Sequence, residues 1–138
     1  MRTWIVDTGP LVAYLDRRDA WHTNVVASMD AFDGRLLTTG AVVTEAMHLV
    51  GAAGAGPRLL AELITASGTR IHEFNQPRDL LAAVELMERF ADTPMDYADA
   101  TLLLLAARSE VHEIATLDRR GFSIYRTAAG KALSLVLD

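Results

Sequence analysis

The stretch Thr101-Leu102-Leu103-Leu104-Leu105-Ala106-Ala107 is uncharged and almost wholly apolar, and it continues the helical start Asp96-Tyr97-Ala98-Asp99-Ala100. A helix with one solvated side places polar residues every three or four positions. This segment has no such stripe, so it must be covered on all sides. Whatever fold the chain adopts has to arrange its other elements around that helix.

The flanking pattern supplies those elements. Thr3 to Val6 reads as a short buried strand, and Gly9-Pro10 followed by Leu11, Val12, Tyr14 and Leu15 as a helix with proline in its first turn. A helix is expected over Ala20 to Phe32, a strand over Leu36 to Thr39 and a helix over Val42 to Val50. The glycine-rich stretch Gly51 to Gly56 then reads as a helix–helix turn. Pro57 to Ser67 predicts another helix, Arg70 to Phe74 a strand, Arg78 to Phe90 a helix and Asp96 to Arg108 the apolar helix, with Glu113 to Leu117 and Ser123 to Tyr125 as the last strands. Such alternation predicts an α/β fold, a mainly parallel sheet covered by helices on both faces. At 138 residues, with no linker or internal repeat, one domain over 1–138 is expected.

Composition narrows the chemistry. The chain has no cysteine, which removes disulfides, thiolate metal sites and cysteine nucleophiles together. Any metal must be held by oxygen or imidazole. A formal net charge of -5 argues against a basic nucleic-acid groove, although two bound divalent cations would cancel most of it. Hydrophobic residues make up 51% of the chain, above the usual ~45 to 50%. That surplus predicts an apolar partner surface and an assembly of at least two copies. No apolar run approaches the roughly 18 residues of a membrane span. Met1 to Val6 has none of the features of a leader segment, so a cytoplasmic location is expected.

Four carboxylates stand where these elements end or begin. Asp7 follows the first strand, Glu45 sits among Val42, Val43, Ala46 and Met47, Asp99 opens the apolar helix, and Asp118 follows a late strand. In open α/β sheets, ligands bind outside the carboxyl ends of the strands, where Asp7 and Asp118 can meet. Carboxylates gathered in a low dielectric repel one another and take up protons, unless a cation such as Mg2+ opposes them. Asp96, three residues before Asp99, reads as an N-cap and helper, and the hydroxyls of Thr8 and Thr116 can orient a carboxylate or a water. A cation held there would lower the pKa of a water, align it with a phosphodiester and neutralise the leaving oxygen. Glu45-x-x-His48 has the spacing of di-iron helix bundles, but those use two copies and this chain has one, so His48 is expected to be packed or hydrogen-bonded.

Asp7-Thr8-Gly9, Glu45, Asp96-Tyr97-Ala98-Asp99-Ala100 and Thr116-Leu117-Asp118-Arg119-Arg120-Gly121-Phe122, in that order, resemble the PIN-domain nucleases, and most of all the VapC-type toxins of bacterial toxin-antitoxin pairs. Glu45 is matched mainly by position. The resemblance implies a PIN-like three-layer sandwich and a Mg2+- or Mn2+-dependent endoribonuclease. It also implies an acidic quartet of Asp7, Glu45, Asp99 and Asp118, a homodimer, and inhibition by a small antitoxin whose tail covers the site.

Two other classes fit parts of the sequence. An apolar strand running into Asp7-Thr8-Gly9 is also the signature of aspartic proteases, but those are built almost wholly from strands and would leave Glu45, Asp99 and Asp118 unexplained. A non-catalytic PIN-like interaction module would keep the acids only as helix caps.

Overall fold

The computed structural model describes residues 1–51 and 55–137. Five strands, β1 (Thr3–Val6), β2 (Arg35–Thr39), β3 (Arg70–His72), β4 (Glu113–Ala115) and β5 (Ser134–Leu135), form one sheet in the order β3-β2-β1-β4-β5. Every pairing is parallel. The helices are α1 (Thr8–Leu15), α2 (His22–Ala31), α3 (Gly40–Leu49), α4 (Gly56–Ala66), α5 (Pro77–Arg89), α6 (Tyr97–Ser109) and α7 (Arg119–Ile124). The expected three-layer α/β sandwich is therefore the observed one.

Burial on both faces explains the apolar runs of the central strands β1 and β4, while the outer strand β3 is exposed. Ile5 and Ile114, register partners on β1 and β4, join the larger core with the leucines of α6. Their chain neighbours Trp4 and Ala115 pack on the opposite side with Ala13 of α1 and Val25 of α2. As the uncharged run requires, Leu102, Leu103 and Leu105 of α6 are fully buried. Each contributes roughly 1.5–3 kcal/mol of burial.

The chain steps outward from β1 to β2 to β3, then returns to place β4 on the other flank of β1. The order reverses beside β1, and such a reversal opens a crevice at the carboxyl ends of the two diverging strands. Those ends are Val6 on β1 and Ala115 on β4, one residue before Asp7 and Thr116.

The last quarter of the chain corrects the sequence reading. Ser123 to Tyr125 is not a strand: Ser123 and Ile124 finish α7, and Tyr125 is its C-cap. Phe122 and Tyr125 are three residues apart and both buried, which is helical spacing. The edge strand is instead Ser134–Leu135, paired with β4. β3 stops at His72 and β4 at Ala115, each two residues short of expectation. The expected turn over Gly51 to Gly56 lies partly outside the described residues. Among the described residues, no helix is long and apolar enough to cross a membrane.

Candidate active site

Three of the singled-out acids begin helices, because an unpaired carboxylate there satisfies the free N–H groups of a first turn. Asp7 is the N-cap of α1, Asp96 of α6 and Asp118 of α7. Asp7 Oδ1 accepts from the Thr8 N–H at 2.7 Å, and its Oδ2 accepts from the Thr116 hydroxyl at 2.7 Å. Thr116 Oγ1 in turn accepts from the Asp118 N–H at 3.0 Å. One buried threonine thus ties together the acids that leave β1 and β4. Asp118 Oδ1 accepts from the Gly121 N–H at 3.0 Å.

Asp96 and Asp99 form a reciprocal capping box. The Asp99 N–H donates to Asp96 Oδ1 at 2.8 Å, and the Asp96 N–H donates to Asp99 Oδ2 at 3.1 Å. The cap and the inner acid are both held, as the i, i+3 spacing predicts. Gly9 has its own reason to lack a side chain: a Cβ there would lie 3.3 Å from Leu117 Cβ, so glycine lets the start of α1 close onto the strand-to-helix turn that carries Asp118. The Asp-Thr-Gly triplet serves that close approach, and the parallel α/β sheet rules out the strand-built protease.

Electrostatics mark the same place. Burial pushes the Asp7 carboxyl up to about 6, against the hydrogen bonds from Thr116 and Thr8, and the charges of Glu45 and Asp96 push it further. Burial also pushes Asp99 up to about 8, followed by the charge of Asp96, with a smaller push from Asp7. Tyr125 is pushed up to about 12, first by burial and then by Asp99, Asp118, Asp96 and Asp7. A single phenol therefore senses four carboxylates. Its hydroxyl donates to the Pro94 carbonyl at 2.7 Å and the Thr93 carbonyl at 3.2 Å, on the segment leading into Asp96. Sequence reasoning missed Tyr125; its helical spacing from Phe122 was the available signal.

Glu45 lies half-buried in the second turn of α3, too late to complement that helix's first turn, and its charge acts on Asp7. His48 is exposed and has no side-chain hydrogen bond among the described residues, so the expected packed or bonded histidine is not found. Asp7, Asp96, Asp99 and Asp118 all lie near enough to act on Tyr125, and Glu45 of α3 acts on Asp7; Asp7 is buried, Asp99 and Glu45 are half-buried, and Asp96 and Asp118 are exposed.

The donor set suits a hard divalent cation. Among the described residues, Asp96, Asp99 and Asp118 each keep one carboxylate oxygen without a hydrogen-bond donor. No arginine or lysine there makes an ion pair with any of the five acids. The buried Thr8 hydroxyl beside Asp7 has no partner. All of these are oxygen ligands of the kind Mg2+ takes. Among the described residues no three acids or histidines stand in a metal-holding cluster.

A parallel sheet with acids gathered at its switch point is the arrangement in which open α/β folds bind ligands. The chain belongs to the PIN domain family, whose model matches residues 4–129. It is 29% identical over 133 residues to ribonuclease VapC26 of Mycobacterium tuberculosis, spanning 96% of this chain and 98% of that one. Its fold is similar to that of Mycobacterium tuberculosis VapC20, described as a sarcin-ricin loop cleaving toxin, with TM-score 0.76 and 16% identity over 90% of this chain and 97% of that one. It is also similar to FitAcB of Neisseria gonorrhoeae, with TM-score 0.61 and 22% identity over 94% and 95% of the two chains.

Proposed function

We propose that the chain is a metal-dependent endoribonuclease acting as the toxin of a toxin-antitoxin pair, with Asp7, Glu45, Asp99 and Asp118 as the cation ligands. The observation that carries this reading is a pair of acids at the carboxyl edge of the sheet, Asp7 buried and Asp99 half-buried, both pushed toward protonation with no cation among the described residues paired to them. Similarity to ribonuclease VapC26 supports RNA as the substrate. Bound Mg2+ or Mn2+ would neutralise charge on the phosphoryl group and acidify an attacking water.

The chain's own residues do the rest. Thr116 and the Thr8 N–H each hold one oxygen of Asp7, fixing the plane of that carboxylate. Asp96 fixes the backbone of Asp99 through the capping box, which makes Asp96 a helper. The Thr8 hydroxyl is buried beside Asp7 without a hydrogen-bond partner. Preorganised donors and acceptors of this kind need no rearrangement as charge develops on the phosphate.

Cleavage of RNA in Mg2+, abolished by EDTA and by Asp99→Asn, tests the reading. A non-catalytic PIN-like module is the second reading, favoured by the fact that Asp7, Asp96 and Asp118 already serve as helix caps. RNA left intact by wild-type protein in Mg2+ and in Mn2+ would establish it instead.

The partners follow from charge and surface. An antitoxin segment bearing an arginine would satisfy Asp7, Asp99 and Asp118 in place of metal, making inhibition competitive with Mg2+. Inhibition unaffected by replacing that arginine would sink the plug. Leu80, Leu81 and Val84 form an exposed apolar stripe on α5, and a symmetric homodimer would cover such a surface. A stable monomer by light scattering at micromolar concentration would remove the dimer.

A further inference from the structure

A second concavity, of about 210 Å³, opens on the same edge of the sheet, on the far side of β2 from Asp7. Thr39 and His72 are register partners ending β2 and β3. The hydroxyls of Thr39 and Thr101 share a hydrogen bond of 2.8 Å that seats α6 on β2. Tyr97 and Thr101, one turn apart on α6, line the cavity. Asp99 lies on roughly the opposite side of that helix at about 100° per residue, and acts on Asp7. The first turns of one helix therefore stand between the acids and the cavity.

Its walls combine aromatic rings with one solvent-exposed carboxylate, Glu73. Tyr97, His72 and Phe74 contribute aromatic surface, the last two with centroids 5.9 Å apart. The Glu73 carboxylate lies against Gly40 at the start of α3, where an added Cβ would overlap it. Among the described residues Glu73 has neither an ion pair nor a side-chain hydrogen bond. The volume is below the ~300 Å³ of a typical small-molecule pocket and suits a single planar group.

A carboxylate offers two acceptors side by side, so its best planar partner offers two adjacent N–H donors. Guanine does so with N1–H and the N2 amine. Adenine and cytosine each set a ring-nitrogen lone pair beside their amine, and uracil sets its single N–H between two carbonyls. Splayed-out bases are read in this way, by stacking and by their Watson–Crick edges. We propose that this cavity is a nucleobase subsite selecting an unpaired guanine, with Glu73 accepting from N1 and N2 and with Tyr97 and His72 packing on the ring. The proposal rests on the ribonuclease reading above. β1 and β3 are two strand spacings apart, roughly 10 Å. The selected base thus belongs to a nucleotide close to the scissile phosphate.

The test measures binding separately from cleavage. Fluorescein-labelled oligouridine carrying one guanosine, one inosine or one adenosine is titrated with the Asp99→Asn protein in Mg2+, and anisotropy is read. Inosine lacks only the N2 amine. The expected result is about tenfold tighter binding of the guanosine oligomer than of either other, the scale of one bidentate contact. In Asp99→Asn/Glu73→Gln that preference should fall below about twofold. A structural Glu73 that merely complements the start of α3 would change affinity for all three oligomers alike, and that outcome overturns the subsite. So does a preference that survives Glu73→Gln, or one that never appears. If guanosine preference appears while wild-type protein cuts nothing, the subsite stands and the ribonuclease reading fails. If wild-type protein cuts RNA without regard to guanine, the reverse holds. No binding of any oligomer overturns both.

Discussion

Asp7 and Asp79 are both buried aspartates at the start of a helix, 7% and 3% exposed, and the protein treats their charges in opposite ways. Asp79, in the first turn of α5, bonds the Arg108 guanidinium from the end of α6, which holds its carboxyl below the usual range. Arg108 also lies 4.9 Å over the Phe74 ring, so one cation clasps α5, α6 and the segment that follows β3. Asp7 has two hydrogen bonds but no cation among the described residues, and its carboxyl is raised. Burial alone therefore does not mark function. A buried acid with its counter-charge built in is a fastener, and on the reading proposed above one without it is where a cation would bind.

The sharpest way to break that contrast is to neutralise each acid in turn. Asp7→Asn, Asp99→Asn and Asp118→Asn should each cut metal-dependent RNA cleavage by on the order of a thousandfold or more. Their melting temperatures should be unchanged or raised, because each removes a repelling charge. Asp79→Asn should do the reverse, retaining cleavage while lowering the melting temperature by leaving Arg108 unmatched. Cleavage assays and melts on the four variants decide it, and wild-type rates in the first three would mean the ligands are misassigned. Asp96→Asn should be milder, since asparagine caps a helix well.

A pH titration in EDTA separates the two acids next. Burial lifts the folded-state pKa of Asp7 to about 6, above the 3.8 of a free aspartate, so the folded protein holds that proton more tightly than the unfolded chain. Its favourable contribution is complete below about 3.8 and is lost as pH rises through about 6, on the order of 3 kcal/mol. Asp99 extends the loss toward about 8. Asp79, with a lowered pKa, contributes stability above its unfolded value that is lost as pH falls through its folded one. The metal-free melting temperature should fall between about pH 5 and 8, with a shallower slope in Asp7→Asn. A flat profile for wild type over that range would contradict the unmatched cluster.

Restoring the missing charge should then reverse the loss. Mg2+ or Mn2+ at a hundred times its dissociation constant adds about 2.7 kcal/mol by mass action. That gain should vanish in Asp99→Asn and persist in Asp79→Asn. A metal response indifferent to Asp99 would place the ion elsewhere.

The two regions were unequally legible in the sequence. Asp7, Asp99 and Asp118 announce themselves because each stands beside an apolar strand or helix, at a switch that the period of the hydrophobic pattern makes visible. The layered fold was legible for the same reason, since α6 is buried over most of Ala98 to Ala106, with Ala107 and Arg108 exposed, and β1 reads as an apolar run, whereas the exposed β3 does not. The Asp79–Arg108 clasp was not, because its partners are 29 residues apart and nothing in either neighbourhood fixes their rotation about α5 and α6. α7 and β5 were also hidden. Six residues and two residues are too few for a period to show, and their positions depend on the Asp118 cap and on pairing to β4. The Glu73 cavity joins four elements, β2, α3, β3 and α6, spread over the sequence from Thr39 to Thr101.

The smallest effect should come from Tyr125, which belongs to neither acid and yet feels the crevice. Its hydroxyl holds the Thr93 and Pro94 carbonyls, and its ring meets Phe90 and Phe122 edge-on at centroid distances of 5.5 and 5.2 Å. Tyr125→Phe keeps the ring packing and removes only the donor, which should cost about 1 kcal/mol of stability. The segment entering the Asp96 cap would then be less firmly placed relative to Asp118. Cleavage should fall several-fold, far less than on loss of a ligand, because every carboxylate is still present. If the melting temperature drops while the rate in saturating Mg2+ is unchanged, Tyr125 braces the fold alone. If the rate falls as far as in Asp99→Asn, the phenol touches the reacting groups, and the line drawn here between fastener and site has been drawn one residue too narrowly.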